Sequence, residues 1–167
     1  MTTIAYRSGR LCTDTQLNDD DTFVGRCFKG GKTEDGYLWA ACGFTRYLGP
    51  LREWVEKREG DPPTLEETTF VMVTAEGVVK SWTSHGWVEF QAEYYAWGSG
   101  RDYALGAMAV GASADEAVEA ACRHDPWSSE PMLVEVLGET AEVAEPIAEA
   151  ELVGPQPAET WKEQRGL

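Results

Sequence analysis

The sequence opens Met1-Thr2-Thr3. A small residue behind an initiator methionine permits trimming of Met1, which would leave Thr2 as a free N-terminus. Such a threonine carries a hydroxyl nucleophile and an α-amino base on one residue. The amine has an ordinary pKa of about 7.7–8.0, so a good fraction of it is neutral near pH 7. The chemistry this pair supports is acyl transfer through a covalent intermediate. It requires that the amine not be locked in a peptide bond to Met1. Alone the signal is weak, because many intracellular chains begin in the same way.

Competing chemistries have less behind them. Cys12, Cys27, Cys42 and Cys122 show no CxxC spacing, so neither a zinc knuckle nor a disulfide framework is expected, and they read as buried thiols in a reducing compartment. His85 and His124 each lack a partner at metal-ligand spacing and read as structural or surface residues. Lys29-Gly30-Gly31-Lys32 is basic but lacks the spacing and closing Ser/Thr of a phosphate loop. No metal or cofactor is expected.

With 29 acidic against 14 basic residues the formal charge is −15, which argues against a nucleic-acid surface built of clustered Lys and Arg. The seven tryptophans lack basic flanks and read as core or interface residues rather than base-stacking platforms. No basic segment precedes an apolar run at the N-terminus, and no stretch approaches a membrane span. A cytoplasmic protein with no membrane partner is expected. At 167 residues one domain is expected, with a core over residues 1–137. Residues 138–167, rich in Glu, Ala and Pro, read as an acidic tail or a marginal helix that orders on a partner.

The elements that must position Thr2 come next. Residues 2–7 and 11–16 read as a hairpin around Ser8-Gly9-Arg10, which would hold the N-terminus in a sheet. The acidic run 18–21 reads as a loop before a strand over 22–28. A turn at Glu34-Asp35-Gly36 opens a strand over 37–42. Tyr47, Leu48, Leu51, Trp54 and Val55 recur at three- and four-residue steps and predict a helix, beginning near Gly49 so that Pro50 falls in its first turn. Strands are expected at 69–74, 78–82 and 86–90, with 94–97 closing the meander. A small-residue helix over 101–110 follows. Ser113-Ala114-Asp115-Glu116 then caps a helix reaching about residue 123. The last strand covers 132–137. Helices segregated from antiparallel runs point to an α+β layer fold, and a four-layer αββα sandwich is compatible with that order.

Several motifs now carry more than pattern. Thr2-Thr3-Ile4-Ala5-Tyr6-Arg7, Asp14-Thr15-Gln16, and Tyr95-Ala96-Trp97-Gly98-Ser99-Gly100 followed by Asp102-Tyr103-Ala104-Leu105-Gly106-Ala107 stand in order, with Ala114 to Ala121 and Asp125-Pro126-Trp127-Ser128 behind them. Together, over roughly residues 2–137, they resemble the proteasome-type N-terminal-nucleophile hydrolases, in particular the bacterial HslV peptidase and its short relatives, including phage-encoded ones. The resemblance implies the αββα sandwich and a threonine-type peptidase assembled as a ring-like homo-oligomer. Its substrate would be a peptide or unfolded protein, fed by a possible ring ATPase. It implies Thr2 as nucleophile, with its freed amine as base or as part of the proton relay. Asp14 would hold a catalytic Lys29, whose ammonium lowers the cost of a developing alkoxide. Ser99, Asp125 and Ser128 would hold the amine, and the backbone N–H of Gly43 would face the oxyanion, with a register uncertain by one.

The chain departs from the family pattern where Gly30-Gly31-Lys32 follows the lysine, so Lys32 competes with Lys29 for the role. Ser129 also stands where the family has glycine. Taken singly, each residue has an ordinary reading: Asp14 as a turn acid, Lys29 as a surface lysine, Ser99 as a helix cap, Asp125 before Pro126 as a turn residue. Two other functions stay open, a catalytically inactive assembly or binding subunit with the same fold and an amidase acting on a small molecule.

Overall fold

The structure, a computed structural model, describes residues 1–138. The expected acidic tail lies outside the described residues except for Gly138. Strands β1 (Thr3–Arg7) and β2 (Arg10–Asp14) form the expected hairpin. Its two-residue turn has positive φ at both Ser8 and Gly9, the conformation that matches strand twist. The returning strand stops at Asp14. After Thr15 the chain forms a separate ribbon of β3 (Gln16–Asp19) and β4 (Thr22–Arg26), so Asn18 and Asp19, expected in a loop, are strand residues.

Next come β5 (Gly30–Lys32), β6 (Leu38–Cys42), a short 3-10 turn (Thr45–Tyr47) and α1 (Leu48–Lys57). The helix starts one residue before Gly49, and Pro50 falls at its third position, inside the first turn. Strands β7 (Thr69–Val73), β8 (Val79–Thr83) and β9 (Gly86–Phe90) continue the meander, giving an antiparallel sheet in the order β5-β6-β7-β8-β9. β10 (Tyr94–Gly98) does not close it. It crosses to the other sheet and pairs with β1, from Thr3 opposite Gly98 to Arg7 opposite Tyr94. With β11 (Met132–Val136) that sheet runs β10-β1-β2-β11.

The alternation along the strands explains the crossing. On β10, Trp97 joins Ile4, Tyr6, Leu11, Leu38, Val71 and Val73 in an apolar cluster drawn from both sheets, and Tyr95 packs against it. The intervening Ala96 joins Ala5 and Cys12 against the helices α2 (Arg101–Ala109) and α3 (Ala114–His124). Large rings toward one side and a small residue toward the other suit a strand covered on both faces. On β6 and β7 the other set of side chains, Trp39, Ala41, Phe70 and Met72, packs with Leu51 and Val55 of α1. The molecule is thus an α+β protein of two antiparallel sheets, a ribbon and helices. Among the described residues no helix is long and apolar enough to cross a membrane.

Candidate active site

The site is built from what surrounds the first residues of β1, clamped between β2 and β10. Thr2 and Thr3 are buried at 2% and 0% exposure. The Thr2 carbonyl accepts from the Ser99 backbone N–H at 2.9 Å. On the opposite strand the Asp14 carboxylate, wholly buried at the end of β2, accepts from the Thr3 backbone N–H at 2.9 Å and the Gln16 backbone N–H at 2.9 Å. It also accepts from Lys29 Nζ at 3.0 Å. Burial pushes the Asp14 carboxyl above its ordinary value, and the Lys29 ammonium and two backbone N–H groups oppose that rise.

Lys29 is 2% exposed, so it is no surface lysine. Its ammonium also donates to the Met1 carbonyl at 3.1 Å, which brings it to the peptide group joining Met1 to Thr2. Lys32 lies elsewhere and donates to the Val136 carbonyl on β11 at 2.7 Å. Gly30 and Gly31 have a local reason. A Cβ on Gly30 would fall 2.3 Å from the Trp39 carbonyl of β6, and one on Gly31 would fall 3.3 Å from the Trp39 indole nitrogen.

A second cluster lies on the other side of Thr3. Asp125 Oδ2 accepts from Ser99 Oγ and from Ser128 Oγ, each at 2.7 Å. Thr3 Oγ1 lies 2.7 Å from Ser128 Oγ and 3.5 Å from Asp125 Oδ2. Because the single hydroxyl hydrogen of Ser128 goes to Asp125, Thr3 is the donor in the Thr3–Ser128 bond. Asp125 is also the residue that ends α3, its N–H bonded to the Ala121 carbonyl at 2.7 Å. The position of the helix therefore sets the position of the carboxylate. Ser99 is not the cap of α2, a position taken by Gly100; its hydroxyl is committed to Asp125.

Gly43 closes the third side. Its φ is +126°, and a Cβ there would fall 2.4 Å from the Glu67 carbonyl oxygen, so only glycine fits. Thr2, Lys29 and Gly43 line one recess of about 10 Å³, with Leu48 also in its wall. That volume admits at most about one water. Cys42 also borders it, but burial pushes its thiol up to about 11, so at neutral pH it holds its proton and is no thiolate nucleophile.

Thus Asp14, Lys29, Ser99, Asp125, Ser128 and Gly43, named from the sequence only as what the family resemblance implies, all surround Thr2 and Thr3. Sequence reasoning missed Thr3. A readable signal was the alternation of β1: Ile4 and Tyr6 point into the inter-sheet core, which places Thr3 on the other face, where a buried hydroxyl needs a partner. Gln16 was named only as part of a motif. Its side chain donates to the Pro126 carbonyl at 2.9 Å and ties the ribbon to the loop holding Asp125 and Ser128.

No family model and no curated protein matches the chain. Solved structures do. Thiobacillus denitrificans BPH is 20% identical over 83% of this chain and 99% of its own, with a TM-score of 0.61, and the same protein in complex with epoxomicin matches equally. Eukaryotic HslV from Trypanosoma brucei is 18% identical over 80% of this chain and 98% of its own, with a TM-score of 0.59. The chain spans nearly the whole of each of these neighbours, and its fold is that of the HslV-type, proteasome-like structures.

Proposed function

We propose that the chain, once Met1 is removed, is a threonine-type peptidase in which Thr2 is the nucleophile. The observation that carries the reading is the buried Lys29 ammonium, paired with Asp14 at 3.0 Å and bonded to the carbonyl of residue 1. Removing Met1 takes that carbonyl away and leaves the cation facing Thr2. The amide nitrogen of Thr2 becomes an α-amine beside the Ser99–Asp125–Ser128 cluster. The Thr2 hydroxyl attacks a peptide carbonyl and its proton passes to the amine. Lys29 lowers the cost of the developing alkoxide, and the Gly43 N–H donates to the tetrahedral oxyanion. The amine returns the proton to the leaving amide nitrogen. Water then hydrolyses the ester with the same amine as base.

In this reading residues 1–137 form the four-layer αββα sandwich and 138–167 an appended acidic tail. Copies assemble into a ring-like homo-oligomer that encloses the sites and restricts them to peptides or unfolded chains, with a ring ATPase as a possible feeder. The HslV-type fold and the epoxomicin complex of one neighbour support it. A second reading, a non-catalytic assembly subunit, is favoured by the bond from Lys29 to the Met1 carbonyl, which a retained Met1 makes. Intact mass decides between them. Loss of the Met1 mass and a single peptide-epoxyketone adduct on Thr2 are the expected result. A chain that retains Met1 and takes no adduct even after aminopeptidase treatment is the assembly subunit. Thr2→Ala is expected to lower peptide turnover by at least about 10³-fold while folding normally. Full activity in that variant would sink the mechanism.

A further inference from the structure

The sheet β5-β6-β7-β8-β9 has one strand more than β10-β1-β2-β11, and a cavity of about 470 Å³ opens beside β10, where the narrower sheet ends. Its size lies in the range of about 300–1,000 Å³ typical of ligand sites, and it shares no lining residue with the recess at Thr2. Phe90 and Leu105 give it an apolar side. The rest of the wall holds buried polar groups that nothing uses. Ser81 is 4% exposed and Trp97 7% exposed, yet neither the Ser81 hydroxyl nor the Trp97 indole N–H has a partner among the described residues. The unpaired atoms shut away from any open space are Thr13 Oγ1 and Asn18 Nδ2, so these two reach accessible space, and both residues line this cavity. An indole N–H can only donate, and when buried it ordinarily finds an acceptor. Other donors stand in the same wall. Thr83 Oγ1 accepts from the His85 backbone N–H at 3.2 Å, which leaves its own hydrogen to give. Helix α2 begins here with no side-chain cap, so the N–H groups of its first turn are open and carry the positive end of the helix dipole. Arg101 spends its Nε on Asp102 at 3.4 Å and keeps its other guanidinium N–H groups. The Asp102 carboxylate opposes these donors, but it is 85% exposed and already paired.

We infer that this cavity binds a free carboxylate carried on an apolar or aromatic body. The carboxylate oxygens accept from Ser81, Trp97 and Arg101 at the start of α2, and the body lies against Phe90 and Leu105. Donors that are buried and unpaired cost stability until an acceptor arrives, and an ionised oxygen is the acceptor that repays them best. Such a group has two sources, a small organic acid and the carboxyl end of a peptide. The edge of β10 bears on which. Because the Ser99 N–H bonds the Thr2 carbonyl, alternation along the strand turns the N–H and C=O groups of Ala96 and Gly98 away from β1, on the side where β10 has no neighbour. A peptide end pairs with those groups, whereas a small acid leaves them to water. The inference does not depend on the peptidase reading.

The full chain carrying Thr2→Ala, so that no probe is consumed at Thr2, tests this by NMR titration of its indole N–H signals. The probes are phenylacetate, N-acetyl-alanyl-phenylalanine and the amide of each. The two acids are expected to bind at least about tenfold more tightly than their amides. They are expected to shift one indole signal above all, the one that Trp97→Phe removes. Ser81→Ala and Arg101→Gln are each expected to weaken the acids by about three- to tenfold and to leave the amides nearly unchanged. Ser81→Ala deletes one oxygen from a small side chain and Arg101 is largely exposed, so these variants give the answer even if Trp97→Phe misfolds. Equal binding of acids and amides, no binding of either acid below about 10 mM, or acid binding that survives Ser81→Ala and Arg101→Gln together would overturn the site. Where the site holds, tighter binding of N-acetyl-alanyl-phenylalanine than of phenylacetate identifies a peptide end as the ligand, and binding no tighter identifies a small organic acid.

Discussion

Asp14 and Lys29 form an ion pair almost without contact with water, and such a pair behaves asymmetrically when broken. Lys29→Met leaves a buried carboxylate uncompensated, at a cost of about 3–5 kcal/mol in denaturant unfolding. Without the ammonium, burial pushes the Asp14 carboxyl higher still. A folded-state value raised above the unfolded one means that stability is lost as pH rises through it, so the deficit of Lys29→Met against the unaltered chain is expected to shrink in acid and grow toward neutrality. A deficit flat between pH 4 and 8 would show that Asp14 is not the group left stranded. Thr3→Val removes the hydroxyl that donates to Ser128, at about 1 kcal/mol, with a fall in turnover that Thr3→Ser restores. Turnover is expected to survive iodoacetamide, because Cys42 at the recess holds its proton; rapid inactivation with a label on Cys42 would transfer the nucleophile's role to sulfur. At this scale the types of the site residues were legible and their partners mostly were not. Nothing in Gly30-Gly31-Lys32 indicates which of two lysines turns inward. That is decided by the approach of β5 to the Trp39 backbone, a contact between strands distant from Thr2 in sequence.

The elements bring the two halves of the site together through ends rather than middles. Asp14 closes β2, Lys29 precedes β5, Ser99 follows β10, and Asp125 ends α3. The start of α3 carries a full capping box, the Ser113 hydroxyl accepting from the Glu116 N–H and the Glu116 carboxylate accepting from the Ser113 N–H. Ser113→Ala is expected to cost about 1 kcal/mol with no loss of turnover, since the cap lies at the opposite end of the helix from Asp125. A loss of turnover at unchanged stability would mean that the helix shifts along its axis when uncapped. Gly98→Ala is expected to be far worse, because a Cβ there would fall 1.7 Å from the Thr2 carbonyl oxygen at a φ of +92°. The capping box and most strand limits could be read locally. The pairing of β10 with β1 could not, because Tyr94–Gly98 alternates as well for either sheet and only the facing partners, Ala5 and the helices beyond it, choose between them.

For the whole molecule, the formal charge of −15 sets how copies meet. Like-charged subunits repel at low ionic strength, so the proposed ring is expected to tighten as salt rises toward 1 M, where the Debye length is about 3 Å. Sedimentation velocity at two salt concentrations would reveal it, and a monomer at both would remove the ring. The central position of β1 has a consequence in time. Its outer neighbour, β10, begins only at Tyr94, so the strand cannot be enclosed until that part of the chain has been made. At about 5–20 residues per second, synthesis leaves the N-terminus open to an aminopeptidase for roughly 5–20 s. Afterwards Thr2 is buried while Met1 stays 55% exposed, so an aminopeptidase is expected to trim the folded chain more slowly than the nascent one. In the proposed peptidase the fraction of freshly made protein that lacks Met1 would then follow aminopeptidase supply during translation, and later treatment would raise it only gradually.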